Sequence, residues 1–136
     1  MATHATELVP RFGELDPYNH VNHAVYVSYF EAARCLALES ADLALPDLSD
    51  QDVQIVVTQL EVRFREPATA RDTLRVETEL IERRRASTRW AQRILRVSDD
   101  ALLVEGRLTA AICSNDGKPR RPPLGLMDKF DALAPD

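Results

Sequence analysis

Two cysteines, Cys35 and Cys113, make up the whole thiol complement of this chain, and they lie far apart. One falls in a helical pattern and the other in a strand pattern. A disulfide framework is therefore excluded, and both are expected as reduced thiols. No apolar run approaches the roughly 20 residues that span a bilayer. Residues 1–7 lack the charged start and apolar stretch of a secretory signal, so the expected compartment is the cytoplasm. Positive charge is in short supply. Seventeen Lys and Arg face 22 Asp and Glu, for a net charge of −5, which argues against a broad nucleic-acid footprint. The one base-rich stretch is local, from Arg83 to Arg96. There is no internal repeat, no low-complexity tract, and no Gly-x-Ser-x-Gly element to serve an α/β-hydrolase route. Histidine occurs only at positions 4, 20 and 23, without the spacing of a metal-ligand set, so no metal is expected.

What is present fits one domain over residues 1–136, with 45% apolar and 29% charged residues, ordinary for a globular chain large enough to bury a core. Residues 6–12 read as a short strand and residues 13–22 as a polar, turn-rich connection. From His23 to about Ser40 the pattern is helical: Tyr26, Phe30, Ala33 and Ala37 recur at helical spacing, flanked by Tyr29 and Leu36. Residues 42–50, with Pro46 and several aspartates, read as a loop. The period then changes to two. Leu60, Val62 and Phe64 alternate with charged residues as a half-buried strand. Residues 53–57 are apolar but out of phase with it, which predicts a bulge or a doubly covered strand start. Leu74, Val76, Thr78 and Leu80 mark the next strand. Residues 86–97 and 102–112 mark two more, joined by a hairpin turn at Ser98-Asp99-Asp100. Residues 124–133 are expected to form a short helix. A strand, a helix and then strands in hairpin order is an α+β pattern, in which one antiparallel sheet covers the long helix.

The segment Arg11-Phe12-Gly13-Glu14-Leu15-Asp16-Pro17-Tyr18-Asn19-His20-Val21-Asn22-His23 sets a carboxylate and two imidazoles just ahead of that helix. A helix start carries unpaired N–H groups and partial positive charge, which can hold an oxyanion while a nearby Asp acts as base or nucleophile. Phe12, Gly13, Asp16 and Pro17, then Val21, Tyr26, Phe30, Ala32 and Ala33, resemble the signature of the 4-hydroxybenzoyl-CoA thioesterase family. His20-Val21-Asn22-His23 resembles the corresponding stretch of acyl-carrier-protein thioesterases of the same superfamily. Arg65-Glu66-Pro67-Ala68 followed by Asp72-Thr73-Leu74 is similar to a further family turn, with Arg71 where that turn has Gly. The resemblance spans roughly residues 7–114. It implies the hotdog fold, an antiparallel sheet wrapped around a long central helix.

It also implies an acyl-CoA thioesterase, with coenzyme A as part of the substrate and no separate cofactor. Asp16 is the matching nucleophile or general base, and the backbone N–H groups near His23 and Ala24 match the oxyanion position. On its residues alone, Asp16 before Pro17 equally suits an Asx-turn. His20 positions substrate, assists proton transfer or only packs against the loop. Asn22 reads as an N-cap at the substrate-binding end, and Tyr26 with Phe30 lines or supports the pocket. Arg84, Arg85 and Ser87 look like residues that grip the coenzyme A phosphates, since guanidinium forks bind two oxygens at once; a charged hairpin is also an ordinary solvated surface. Glu31, three residues before Arg34, is either an ion-pair partner or a reserve carboxylate. An acyl-carrier-protein thioesterase and a non-catalytic acyl-CoA binding protein remain as alternatives. By resemblance the assembly is a homodimer or homotetramer, and an open sheet edge invites such pairing. No nucleic-acid or membrane partner is expected.

Overall fold

The period-two segments pair into one five-stranded sheet. The computed structural model describes residues 4–134. Its strands are β1 (His4–Leu8), β2 (Gln54–Phe64), β3 (Leu74–Arg83), β4 (Ser87–Arg96) and β5 (Ala101–Cys113). They pair antiparallel in the order β1-β3-β4-β5-β2, so β1 and β2 are the two edges. The predicted bulge is present, as a register shift between Val57 and Gln59 opposite β5. The Ser98-Asp99-Asp100 turn closes the β4–β5 hairpin, with Asp100 at φ 57°.

The long helix α1 (Val25–Ser40) lies across the inner face of the sheet. Its 16 residues give a length of about 24 Å. Tyr26, Tyr29, Phe30, Ala33, Ala37 and Leu38 are buried on its underside. Leu36, expected among them, points outward and is 46% exposed, while Leu38 faces in. Contact is close at mid-helix: a Cβ on Gly106 of β5 would stand 2.8 Å from the Phe30 ring. Position 106 must therefore stay without a side chain for Phe30 to sit on the sheet. The result is an α+β hotdog architecture, a sheet wrapped around its helix.

Two apolar clusters fill the space between sheet and helix. One, around Tyr26, Tyr29, Phe30, Val76, Ile94 and Val104, lies under the first half of α1. The other gathers Leu38, Leu43, Leu48, Trp90, Ile112, Phe130 and Leu133 under the second half. The C-terminal segment joins this second cluster through the short helix α3 (Leu126–Lys129) and a 3-10 turn at Phe130–Leu133, with Phe130 edge-on to Trp90. Between the clusters lies a polar layer. Gln92, 1% exposed, donates to the Phe30 carbonyl (2.9 Å) and to Thr78 Oγ1 (2.8 Å), and accepts from the Arg34 guanidinium (2.9 Å).

Several sequence expectations are corrected. The first strand covers residues 4–8 rather than 6–12, because residues 12–14 turn into a 3-10 element that opens the polar connection. Residues 42–50 are not all loop: α2 (Leu45–Asp50) forms there. Pro46 sits in its first turn, where the missing N–H has no helical partner anyway, and Leu48 anchors it in the core. The helix begins at Val25, two residues later than expected, after a turn at His23-Ala24. Arg34 and Glu31 make no ion pair among the described residues. Arg34 turns inward to Gln92 instead, with burial lowering its pKa and the charge of Glu31 acting against that shift. Finally, the alternating face of β2 is only thinly covered, with Leu60 38% and Phe64 53% exposed, because the strand order puts it at the sheet edge, where α1 covers it only in part.

Candidate active site

The connection from Arg11 to Asn22 is a tight loop tied to its surroundings mostly by backbone bonds. Leu15 bridges Val21, and His20 bridges Thr69. Val21 N–H donates to the Ala68 carbonyl (2.8 Å), Asn22 N–H to the Glu14 carbonyl (2.8 Å) and Asp16 N–H to the His20 carbonyl (2.7 Å). Asn19 takes φ 61° to close the Asp16–Asn19 turn, a left-handed position that Asn tolerates better than most residues.

Within the loop, Asp16 Oδ1 accepts the backbone N–H groups of Tyr18 (2.8 Å) and His20 (3.1 Å). The Asx-turn reading is therefore correct, but it uses only one carboxylate oxygen. Among the described residues no donor reaches Oδ2. Asn22 Oδ1 accepts the Ala24 N–H (3.0 Å), and the Asn22 carbonyl accepts the Val25 N–H (2.9 Å). Asn22 thus caps the turn ahead of the helix rather than the first helical residue. Of the two amides expected to serve as donors, Ala24 is occupied. The His23 N–H has no protein acceptor among the described residues.

Asp16, His20, His23, Tyr26, Phe64, Arg65, Glu66 and Pro67 line one open cleft of about 290 Å³. The His23 ring meets Phe64 edge-on at 6.4 Å, and Tyr26 packs on Phe64 at 5.8 Å. Tyr26 is buried, and its hydroxyl accepts the Ala68 N–H (3.0 Å). Burial raises the pKa of this phenol, the Ala68 bond opposes that shift, and the carboxylates of Asp16 and Asp72 add to it. Tyr26 is therefore a fixed neutral wall of the cleft. Among the described residues no three His, Cys, Asp or Glu side chains are grouped as a metal-ligand set.

The structure separates the other candidates from this cleft. Arg84, Arg85 and Ser87 lie at the β3–β4 hairpin, and Arg84 pairs with Glu82 (2.9 Å). The Asp16 loop sits by Thr69, ahead of the opposite end of β3. Ten strand residues separate the two ends, roughly 33 Å. Within one chain these arginines do not meet Asp16. Glu31 lines a different, more apolar cavity of about 350 Å³ between α1 and β2, with Val27, Leu38, Leu60 and Trp90 among its walls. Sequence reasoning missed Phe64 as a wall of the cleft, and Glu14 as a residue bonded to the helix beside it. Phe64 was legible only as a strand residue. Glu14 is bonded by Tyr29, fifteen residues away, and carries no spacing signal.

Residues 10–130 match the thioesterase-like superfamily. This chain belongs to that superfamily. It is 28% identical over 119 residues to the acyl-CoA thioester hydrolase YbgC of Escherichia coli O157:H7, covering 88% of this chain and 89% of that one. It is 25% identical to the acyl-acyl carrier protein thioesterase ATL3 of Arabidopsis thaliana, over 93% of this chain and 67% of the relative. A hypothetical protein of Thermus thermophilus, 31% identical, superposes with a TM-score of 0.83 over 95% of both chains. In this thioesterase-like chain the matched region includes the Asp16 loop, the central helix and all strands but β1.

Proposed function

We propose that this protein hydrolyses acyl-CoA thioesters, with Asp16 as the reacting carboxylate and the His23 backbone N–H as oxyanion donor. The observation that carries the reading is the pairing just described: a carboxylate pinned through one oxygen with the other left open, beside an unpartnered amide at a helix start. Thiolate leaves readily near neutral pH, so one carboxylate and one pre-aimed donor suffice chemically. Asp16 either takes a proton from attacking water or attacks the carbonyl itself, giving an anhydride that water then opens. Both routes end in a free acid and the coenzyme A thiol, and neither calls on a further cofactor. His20 borders the cleft, where it contacts the substrate end, and Asn22 holds the turn that leaves the His23 amide open. The apolar cavity beside Val27 and Leu60, next along the same helix face, suits the acyl group.

The chain is further proposed to act as a homodimer through β2. That edge offers unpaired backbone and an exposed apolar row of Val57, Leu60 and Phe64, a combination that seeks a partner strand. A two-fold interface is self-complementary. Antiparallel pairing of two β2 strands would set the Gln54 end of one beside the Phe64 end of the other. The partner's Arg84, Arg85 and Ser87 would thereby approach the Asp16 cleft, consistent with a phosphate grip supplied across the interface. Leu60→Lys with Phe64→Lys is expected to give a monomer by size exclusion with light scattering, and to lower turnover sharply. An unchanged dimer would rule β2 out as the interface.

The carrier is the open alternative. The likeness to an acyl carrier protein thioesterase and the His20-Val21-Asn22 stretch favour an acyl group delivered on a carrier protein. The deciding experiment follows loss of thioester ultraviolet absorbance across aromatic, short and long acyl-CoA substrates, with acyl carrier protein thioesters in parallel. Turnover of at least one acyl-CoA is the expected result. Turnover only of carrier-bound substrates would reassign the carrier, and tight binding without hydrolysis would make this a binding protein.

A further inference from the structure

We propose that Glu14, held by the Tyr29 hydroxyl, is a positioning residue that sets the Asp16 carboxylate and the His23 amide in register with each other. This inference rests on the assignment of Asp16 and His23 above. Tyr29 lies on the first turns of α1 and is 6% exposed. Its hydroxyl donates to Glu14 Oε1 (2.8 Å), and the same oxygen accepts the Arg11 N–H (2.8 Å). Glu14 thereby fixes the start of the loop to the helix, using one side-chain oxygen for two donors. Its backbone acts at the other end of the loop, where its carbonyl accepts the Asn22 N–H. Asn22 in turn holds the Ala24 N–H and leaves the His23 N–H open. Two residues along from Glu14, Asp16 Oδ1 takes its two backbone donors.

One set of bonds therefore ties the helix underside to the two ends of the loop, beside Asp16 at one end and His23 at the other. It runs from the Tyr29 hydroxyl to the Glu14 side chain, then from the Glu14 carbonyl to Asn22 and Ala24. The loop has a second tether, from the Tyr26 hydroxyl through Ala68 to Val21, but this holds the side facing the Ala68 turn. Among the described residues, only the Glu14 clamp joins Asp16's own end of the loop to the helix by a side chain. Burial and the Glu14 carboxylate push the Tyr29 phenol above its ordinary pKa, so the donor keeps its proton across the working range. Neither Glu14 nor Tyr29 lines the cleft, which makes their action indirect. Catalytic placement tolerates little error, and a shift of about 1 Å can cost about 100-fold in rate.

The test measures kcat, KM and thermal midpoint for Tyr29→Phe, Glu14→Ala, Glu14→Gln and Asp16→Asn on an acyl-CoA that the wild type turns over. Tyr29→Phe and Glu14→Ala are expected to lower kcat about 10- to 100-fold, with KM within about twofold. Glu14→Gln keeps a carbonyl oxygen for both donors and should stay within about threefold of wild type. A merely structural role would move the midpoint without this split between kcat and KM, or this rescue by Gln. Wild-type kcat in Tyr29→Phe and Glu14→Ala beside an inactive Asp16→Asn would overturn the clamp alone. Loss in Glu14→Gln equal to that in Glu14→Ala would overturn it in favour of a charge effect. Full turnover in Asp16→Asn would instead overturn the underlying site assignment. Should Glu14→Ala fail to fold, Tyr29→Phe, which removes one oxygen from an intact ring, still decides the matter.

Discussion

Asp16→Asn is expected to fold as the wild type does and to hydrolyse thioester about 10³-fold more slowly, near 4 kcal/mol of transition-state stabilisation. The expectation of normal folding comes from Oδ1. An asparagine oxygen in the same place still accepts the Tyr18 and His20 N–H groups, so the loop keeps its closing bonds. What disappears is the charge on the side of the group that no donor reaches. An amide neither takes a proton from water nor attacks a thioester carbonyl. Asp16→Ala would lose both features, and its inactivity would not separate a chemical role from a structural one. The measurement is therefore kcat and thermal midpoint for the Asn variant beside wild type. A midpoint near wild type with turnover lost gives Asp16 a chemical role. Retained turnover would show the carboxylate to be only the turn-closing group that its hydrogen bonds also make it.

The turn-closing place of Asp16 was legible in the sequence, and so was most of what surrounds it, because those features are local. A proline after an aspartate, a polar run ahead of a helical stripe, and period-two alternation from Leu74 onward each declare themselves within a few residues. The family resemblance then supplied the pairing of loop and helix that spacing alone leaves open. What was not legible depends on distant contacts. Alternation in Leu60, Val62 and Phe64 looks the same whether or not a helix covers the strand. Only the strand order leaves that face half bare. Pro46 and its neighbouring aspartates read as breakers, yet Leu43 and Leu48 pull the segment onto the core and the proline falls where a helix accepts one. Arg34 offered an obvious partner three residues away in Glu31 and instead bonds Gln92, fifty-eight residues on. Charge pairs on a helix are weak, worth a few tenths of a kcal/mol, so a buried acceptor beneath the helix easily redirects a guanidinium.

That acceptor underlies the second large effect. Gln92→Leu is expected to lower stability by about 3 kcal/mol, or roughly 10 °C in thermal midpoint for a chain of this size. The leucine fills about the same volume as the glutamine side chain, so packing is not the main source of the loss. Three polar groups lose a partner at once: the Phe30 carbonyl, the Thr78 hydroxyl and the Arg34 guanidinium. Thr78 is fully buried, and an orphaned buried group costs about 1–3 kcal/mol. Arg34 is only partly covered and can turn part of its fork to water, which keeps the total below the simple sum. Because charge left without a partner is the costly part, Arg34→Met added to Gln92→Leu should recover some of the loss. The double variant is then more stable than the two single effects predict, a coupling that a double-mutant cycle reads directly. Thermal or urea melts of the two single variants and the double variant test this. A fall below about 3 °C for Gln92→Leu, or strict additivity, would mean that the layer between the two apolar clusters is not the linked network its geometry describes. The Phe30 carbonyl held by Gln92 lies one residue beyond Tyr29, on the same turns of α1 that anchor the Asp16 loop. The variant should therefore also lose kcat at temperatures where it is still fully folded, because the start of the helix is then held less firmly against the sheet.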